Sequence, residues 1–259
     1  MLVAPVPPTD HNVRVNASPP ARRALVVDDE RPLAELVAGY LRREGYEVHI
    51  ALDGPSGVES ARDVDPDVIV LDLGLPGLDG VEVCRQVRTF SDCYVVMLTA
   101  RTDEIDTLIG LSVGADDYVT KPFRPRELIA RINAMQRRPR RPGGPSTASE
   151  VRSADEAAPP ITVGPLRMDL VGREVELDGE PVGLTRTEFD VLAALARRPS
   201  AVLTRRQLIE AVWGERWVGD EHLVDVHVLH VRQKLGDTAD AQRFVRTVRG
   251  VGYRMGTGE

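Results

Sequence analysis

Between residues 22 and 138, short apolar runs alternate with helical patterns, and this alternation restricts the fold more than any other feature of the chain. Residues 24–27, 48–52, 68–71, 94–98 and 118–119 read as five strands. Helical stretches follow them near 32–44, 55–64, 80–89, 103–113 and 125–138. Pro32 suits a first helical turn, and Leu33, Leu36, Val37, Tyr40 and Leu41 form one stripe before Gly45 stops the helix. Strands that are apolar throughout and separated by helices require a parallel sheet covered on both faces. The expected class is a doubly wound α/β sheet.

Residues 139–160 are rich in Pro, Gly, Ser and Ala and offer nothing to pack, so they read as a flexible linker. Residues 1–21 hold five prolines without periodicity and read as a disordered extension. Beyond the linker the texture changes. Short strands over 161–184 carry a hairpin signal at Leu177-Asp178-Gly179-Glu180. Thr185 to Glu188 and Thr204 to Gln207 are capping boxes, the first opening a helix with Phe189, Leu192 and Leu195 inward. A third helix over 221–235 repeats Val224, Val228, Val231 and Leu235, and a hairpin over 244–255 closes the pattern. Strands, three helices and a two-stranded wing spell a winged helix-turn-helix in an α+β domain. The expected division is 1–21 extension, 22–138 sheet domain, 139–160 linker and 161–257 winged helix.

Ligands of an open parallel sheet bind beyond the carboxyl ends of its strands. The first strand ends in Asp28-Asp29-Glu30, the third in Asp72, the fourth in Thr99 and the fifth in Lys121-Pro122. Carboxylates gathered in one crevice repel and need a cation, and an all-oxygen donor set favours Mg²⁺. An ammonium and a hydroxyl opposite them suit phosphoryl oxygens around Asp72 as nucleophile. Of the 33 basic residues only Lys121 and Lys234 are lysine, so a compact point charge at 121 stands out in an arginine-using chain.

Composition excludes several classes. The net charge of -7 is not that of a non-specific nucleic-acid binder, although Arg232, Lys234, Arg243, Arg246, Arg249 and Arg254 make a local basic stripe. Two cysteines, Cys84 and Cys93, cannot build a disulfide framework. No apolar run is long enough to span a bilayer, and no signal peptide is evident, so a cytoplasmic protein without membrane partners is expected. A free-standing metal-assisted phosphatase fails on inventory, because the second half offers no clustered carboxylates, nucleophile or phosphate loop.

Ala24-Leu25-Val26-Val27-Asp28-Asp29-Glu30, Val70-Leu71-Asp72-Leu73-Gly74-Leu75-Pro76-Gly77, Met97-Leu98-Thr99-Ala100 and the run from Gly114 to Phe123 resemble a bacterial receiver domain of flavodoxin-like fold. Leu184-Thr185-Arg186-Thr187-Glu188-Phe189 and the run from Arg246 to Arg254 resemble the effector domain of OmpR/PhoB-family response regulators. The resemblance implies that Asp72 accepts a phosphoryl group from a sensor histidine kinase. It implies Mg²⁺ held by Asp29, Asp72 and the Gly74 carbonyl, with Asp28 acting largely through water. Thr99 and Lys121 would bind the phosphoryl group, Tyr118 would swing inward with it, and the Lys121-Pro122 bond would be cis. Such a protein is no enzyme beyond its own phosphoryl transfer and dephosphorylation.

Activated receivers of that family dimerise through the helix after the fourth strand, the fifth strand and the last helix. Asp117, Glu127 and Arg131 fit those ion pairs, whereas Thr107 and Val113 stand at usual charged positions, so a weaker homodimer is expected. Opposite its apolar stripe, the third helix offers His222, Asp225, His227, His230, Gln233 and Lys234, with Arg232 on the flank. His230 is the expected base contact on double-stranded promoter DNA, with His222, His227, Arg232 and Lys234 beside it. Thr247 suits a phosphate and Arg249, at the wing tip, the minor groove or its phosphates. Trp213 and Trp217 bracket a loop that in the family touches RNA polymerase, core packing being the other role for Trp213. The competing interpretation is an atypical regulator controlled by partner binding rather than phosphate.

Overall fold

A computed structural model describes residues 21–99, 113–136, 159–215, 217, 219–238 and 240–259. The extension over 1–20, the helix expected at 103–113 with Thr107 (apart from Val113), and most of the linker lie outside those residues.

The first half is a five-stranded parallel sheet of order β2-β1-β3-β4-β5, built from β1 (Arg22–Val27), β2 (Tyr46–Ala51), β3 (Val68–Asp72), β4 (Tyr94–Thr99) and β5 (Asp117–Thr120). Every β3 and β4 residue is buried, as uniformly apolar central strands require. The helices are α1 (Arg31–Arg43), α2 (Gly54–Val64), α3 (Gly80–Arg88) and α4 (Pro125–Gln136). Helices α1 and α4 pack against each other, as do α2 and α3. Helix α1 buries Ala34, Val37, Ala38 and Leu41. Leu36 departs from the expected stripe at 48 % exposure, because this four-residue seam leaves it on the outer flank. The Asp53 carboxylate caps α2 through Ser56 N at 2.8 Å, and Asp79 caps α3 through Glu82 N at 2.8 Å.

The second half opens with an antiparallel sheet of β6 (Ile161–Val163), β7 (Leu166–Asp169), β8 (Glu174–Leu177) and β9 (Glu180–Pro181). Leu177 pairs with Glu180 across a two-residue turn whose Asp178 and Gly179 both have positive φ, 54° and 85°. Helices α5 (Arg186–Ala196), α6 (Arg205–Val212) and α7 (Leu223–Lys234) follow, and both expected capping boxes form at the N-termini of α5 and α6. The wing, β11 (Val245–Val248) and β12 (Gly252–Met255), gains a third strand that sequence did not foretell, β10 (Leu203–Thr204). Gly252 permits it, since a Cβ there would strike the Leu203 carbonyl. Among the described residues no helix is long and apolar enough to cross a membrane.

Candidate functional sites

The carboxyl ends of the parallel strands meet around one ammonium. Asp28, wholly buried just past β1, and Asp72, 5 % exposed at the end of β3, are bridged by Lys121. Lys121 Nζ lies 3.0 Å from Asp28 Oδ2, 2.8 Å from Asp72 Oδ1 and 3.6 Å from Glu30. The remaining oxygens accept from the backbone: Asp72 Oδ2 from Gly74 N and Asp28 Oδ1 from Glu30 N, both at 2.9 Å. Burial lifts the Asp28 carboxyl above the usual carboxylate range, against the pull of Lys121. Burial opposes charge on Lys121 as well, yet its bonds to Asp72 and Asp28 hold its pKa above the ordinary value.

Thr99 is buried at the end of β4, and its carbonyl accepts from Lys121 N at 2.6 Å. The Lys121–Pro122 bond is cis. Asp29 and Gly74 are exposed at the rim. Among the described residues no three acidic, histidine or cysteine side chains already converge as a metal cage. The donor set nevertheless suits Mg²⁺, which takes one or two carboxylates and keeps its waters. Two buried carboxylates share a single ammonium, leaving the crevice negative.

A second site joins the two halves. The Asp117 carboxylate, buried at the start of β5, sits 3.1 Å from Arg131 Nη1 and accepts from Trp217 Nε1 at 3.3 Å. Arg131 also pairs with Glu127 at 3.1 Å and lies over the Trp217 ring at 5.0 Å. Gly219 admits no side chain, because a Cβ would strike the Trp217 ring and stand 2.9 Å from Arg131 Nη1. Thus Asp117, Glu127 and Arg131, expected to face a second copy, pair within the chain, and Trp217 of the winged-helix half covers Asp117 and Arg131. Next to them, the Asp116 carboxylate takes Arg88 Nη2 at 2.6 Å, Val95 N at 2.8 Å and Thr187 Oγ1 at 2.7 Å. Arg186 reaches Asp92 at 3.2 Å. The half-buried Tyr118 hydroxyl is pushed up by burial and by the charges of Asp220 and Asp117.

Helix α7 has two buried faces. Val224, Val228, Val231 and Leu235 enter the core of the winged helix. Leu223, Val226, His227 and His230 form the second, and His227 Nε2 lies 3.2 Å from the Asp116 carbonyl oxygen. His227 and His230, expected on DNA, are therefore buried in this arrangement. Exposed His222 faces Asp225, which also holds Arg205 and the Tyr253 hydroxyl. Arg232 donates to the Val245 carbonyl and to Thr247 Oγ1, tying helix to wing, and Lys234 is bound to Glu188 at 2.6 Å. Of the expected DNA contacts, only His222 and Arg249 at the wing turn are both exposed and untethered to the receiver or the core. Trp213 is fully buried. Asp116, Thr187, Gly219 and the partner of Trp217 escaped sequence reasoning, since the hydrogen bonds that join the two halves here span 71 to 111 residues.

Residues 24–133 match the family described as response regulator receiver domain, and residues 179–255 match transcriptional regulatory protein, C terminal. The DNA-binding response regulator MtrA of Mycolicibacterium smegmatis is 43% identical over 235 residues, spanning 91% of this chain and 97% of that protein. The sensory transduction protein RegX3 of the same organism is 44% identical over 231 residues, spanning 89% and 97%. A solved structure of a RitR mutant, 28% identical, covers 92% of this chain and all of its own with a TM-score of 0.70. With a receiver sheet bearing an acidic crevice and a winged helix behind it, the chain belongs to the OmpR/PhoB family of two-component response regulators.

Proposed function

We propose that the protein is a phosphorylation-controlled transcription factor whose switch is Asp72. The supporting observation is the bridge from Lys121 to Asp28 and Asp72 at the ends of the first and third strands. An Asp72 carboxylate oxygen attacks the phosphorus of a phosphohistidine on a sensor kinase, the P–N bond breaks, and the imidazole leaves. Asp28, Asp29, Asp72 and the Gly74 carbonyl would hold Mg²⁺, which supplies charge neutralisation for the transferring group. Lys121 and Thr99 bind the phosphoryl oxygens, and the same Lys121 that balances two carboxylates is drawn toward the new dianion.

Phosphorylation shifts Thr99 and Tyr118, and the Tyr118 hydroxyl already feels the charge of Asp220 from the winged helix. Loosening that contact frees Asp117, Glu127 and Arg131 for a homodimer and α7 for double-stranded promoter DNA. His222, His227 and His230 then face the major groove, with Arg232, Lys234, Thr247 and Arg249 toward its phosphates. The 213–217 loop becomes available to RNA polymerase. The working division is 1–21 extension, 22–138 receiver, 139–160 linker and 161–257 effector, in the cytoplasm.

The test is acetyl phosphate or a phosphorylated kinase with Mg²⁺, read on a phosphate-affinity gel, for wild type and Asp72→Asn. A shifted band in wild type that vanishes in Asp72→Asn is expected. Equal DNA binding by the two after beryllium fluoride treatment would instead favour control by partner binding.

A further inference from the structure

Three of the five histidines in the chain, His222, His227 and His230, stand on or at the start of α7, and two of them are buried. His227 is fully buried and His230 is 4 % exposed. Among the described residues His227 Nδ1, Arg131 Nε and Trp213 Nε1 accept or donate no hydrogen bond, and His230 Nδ1 has only the Glu188 carboxylate at 3.6 Å. The Asp116 carbonyl can only accept, so neutral His227 carries its proton on Nε2 and leaves Nδ1 bare, the ring centroid lying 5.5 Å from that of Trp213.

A second proton on His227 finds no acceptor and no free anion. The Asp116 carboxylate is already held by Arg88, Val95 N and Thr187. Glu188 on α5 is held by Lys234 and by Thr185 N, with the His230 ring beside it. Asp116 and Glu188 still pull toward a charged ring, and the neighbouring His230 and above all burial outweigh them. The closed contact therefore accommodates only the neutral ring.

We propose that His227 is a proton sensor built into the interdomain contact, its protonation separating receiver from winged helix with no phosphoryl group on Asp72. The proposal adds a second input to the DNA-binding function above but rests only on the contact itself. Burial pushes the His227 pKa down to about 4 in the closed form, whereas in water the ring has its ordinary value of 6.5. A depressed histidine favours the closed form above pH 6.5 and progressively less as pH falls from 6.5 toward 4. At pH 5.5 the opening equilibrium should stand about tenfold above its value at pH 8.

The experiment uses the full chain without phosphate donor, Mg²⁺ or DNA. Val226→Cys places a thiol on the buried second face of α7, in the wild-type background and with His227→Gln, whose amide keeps a donor for the Asp116 carbonyl. Labelling by 4,4′-dithiodipyridine is followed from pH 8 to pH 5.5 and normalised to a free cysteine peptide at each pH. Buried Cys84 and Cys93 report unfolding of the receiver, and far-UV circular dichroism reports the effector. A roughly tenfold rise at the introduced thiol alone, with a flat profile in His227→Gln, is expected. A rise below about twofold, an equal rise in His227→Gln, or a rise accompanied by Cys84 and Cys93 labelling or loss of ellipticity overturns the proposal. Failure of Asp72 to accept phosphate leaves this result untouched, so the two readings fail separately.

Discussion

At the scale of single residues, two charged groups do work that no neutral substitute can. Lys121 balances Asp28 and Asp72 with one compact ammonium, a point charge that an arginine's planar fork does not reproduce. Lys121→Met should leave two adjacent buried carboxylates, lower receiver stability by about 1–3 kcal/mol in urea titration at pH 7, and regain part of it on adding Mg²⁺. Asp237 is the effector's counterpart. Its buried carboxylate accepts from the amides of Arg243 at 2.8 Å, Phe244 at 3.0 Å and Val245 at 3.2 Å, pinning the first wing strand. Asp237→Ala should cost about 3 kcal/mol and be read as a lowered thermal midpoint of the effector transition.

Among the elements, α7 is the one with competing demands. One stripe must fill the winged-helix core, and the neighbouring stripe of Leu223, Val226, His227 and His230 is buried in the closed form. Trp217 supplies the cover over Asp117 and Arg131 beside it. Gly219→Ala introduces a methyl group against the Trp217 ring and the Arg131 guanidinium. Overpacking of this kind costs about 1–3 kcal/mol, and since Asp117 and Arg131 hold the Trp217 ring in place in the closed form, opening relieves it, so small-angle scattering should show a larger radius of gyration. An unchanged radius would mean that the turn yields without disturbing the contact.

For the whole molecule, one contact hides both the acidic and basic partners expected in a dimer and much of the helix expected on DNA. Both tryptophans of the chain, Trp213 and Trp217, are buried at or beside it, at 6.1 Å from each other. Beryllium fluoride with Mg²⁺ should therefore shift tryptophan emission to the red and raise its quenching by acrylamide, and Asp72→Asn should abolish both changes. The same treatment should populate a dimer in sedimentation, with Asp117→Ala weakening it, because Asp117 gives up Trp217 for a partner copy.

The local chemistry and the class of each half can be read along the chain. Strand periodicity, the two capping boxes, the Asp178-Gly179 turn and the residues at the strand ends are short-range signals, so Asp28, Asp72, Thr99 and Lys121 were legible before any coordinates. Pairings over long chain separations were not. Nothing near Asp116 announces Thr187 or His227, and nothing in an amphipathic α7 reveals that His227 and His230 of its polar-looking face are buried, because a helix pattern records which side avoids water without recording against what. Tertiary structure alone decided that Asp117 meets Trp217, that Arg232 and Lys234 are tied to Thr247 and Glu188, and that two histidines are shut away from solvent. Those outcomes depend on how two separately folded surfaces meet, and that is fixed by shape and charge across the contact rather than by neighbours along the chain.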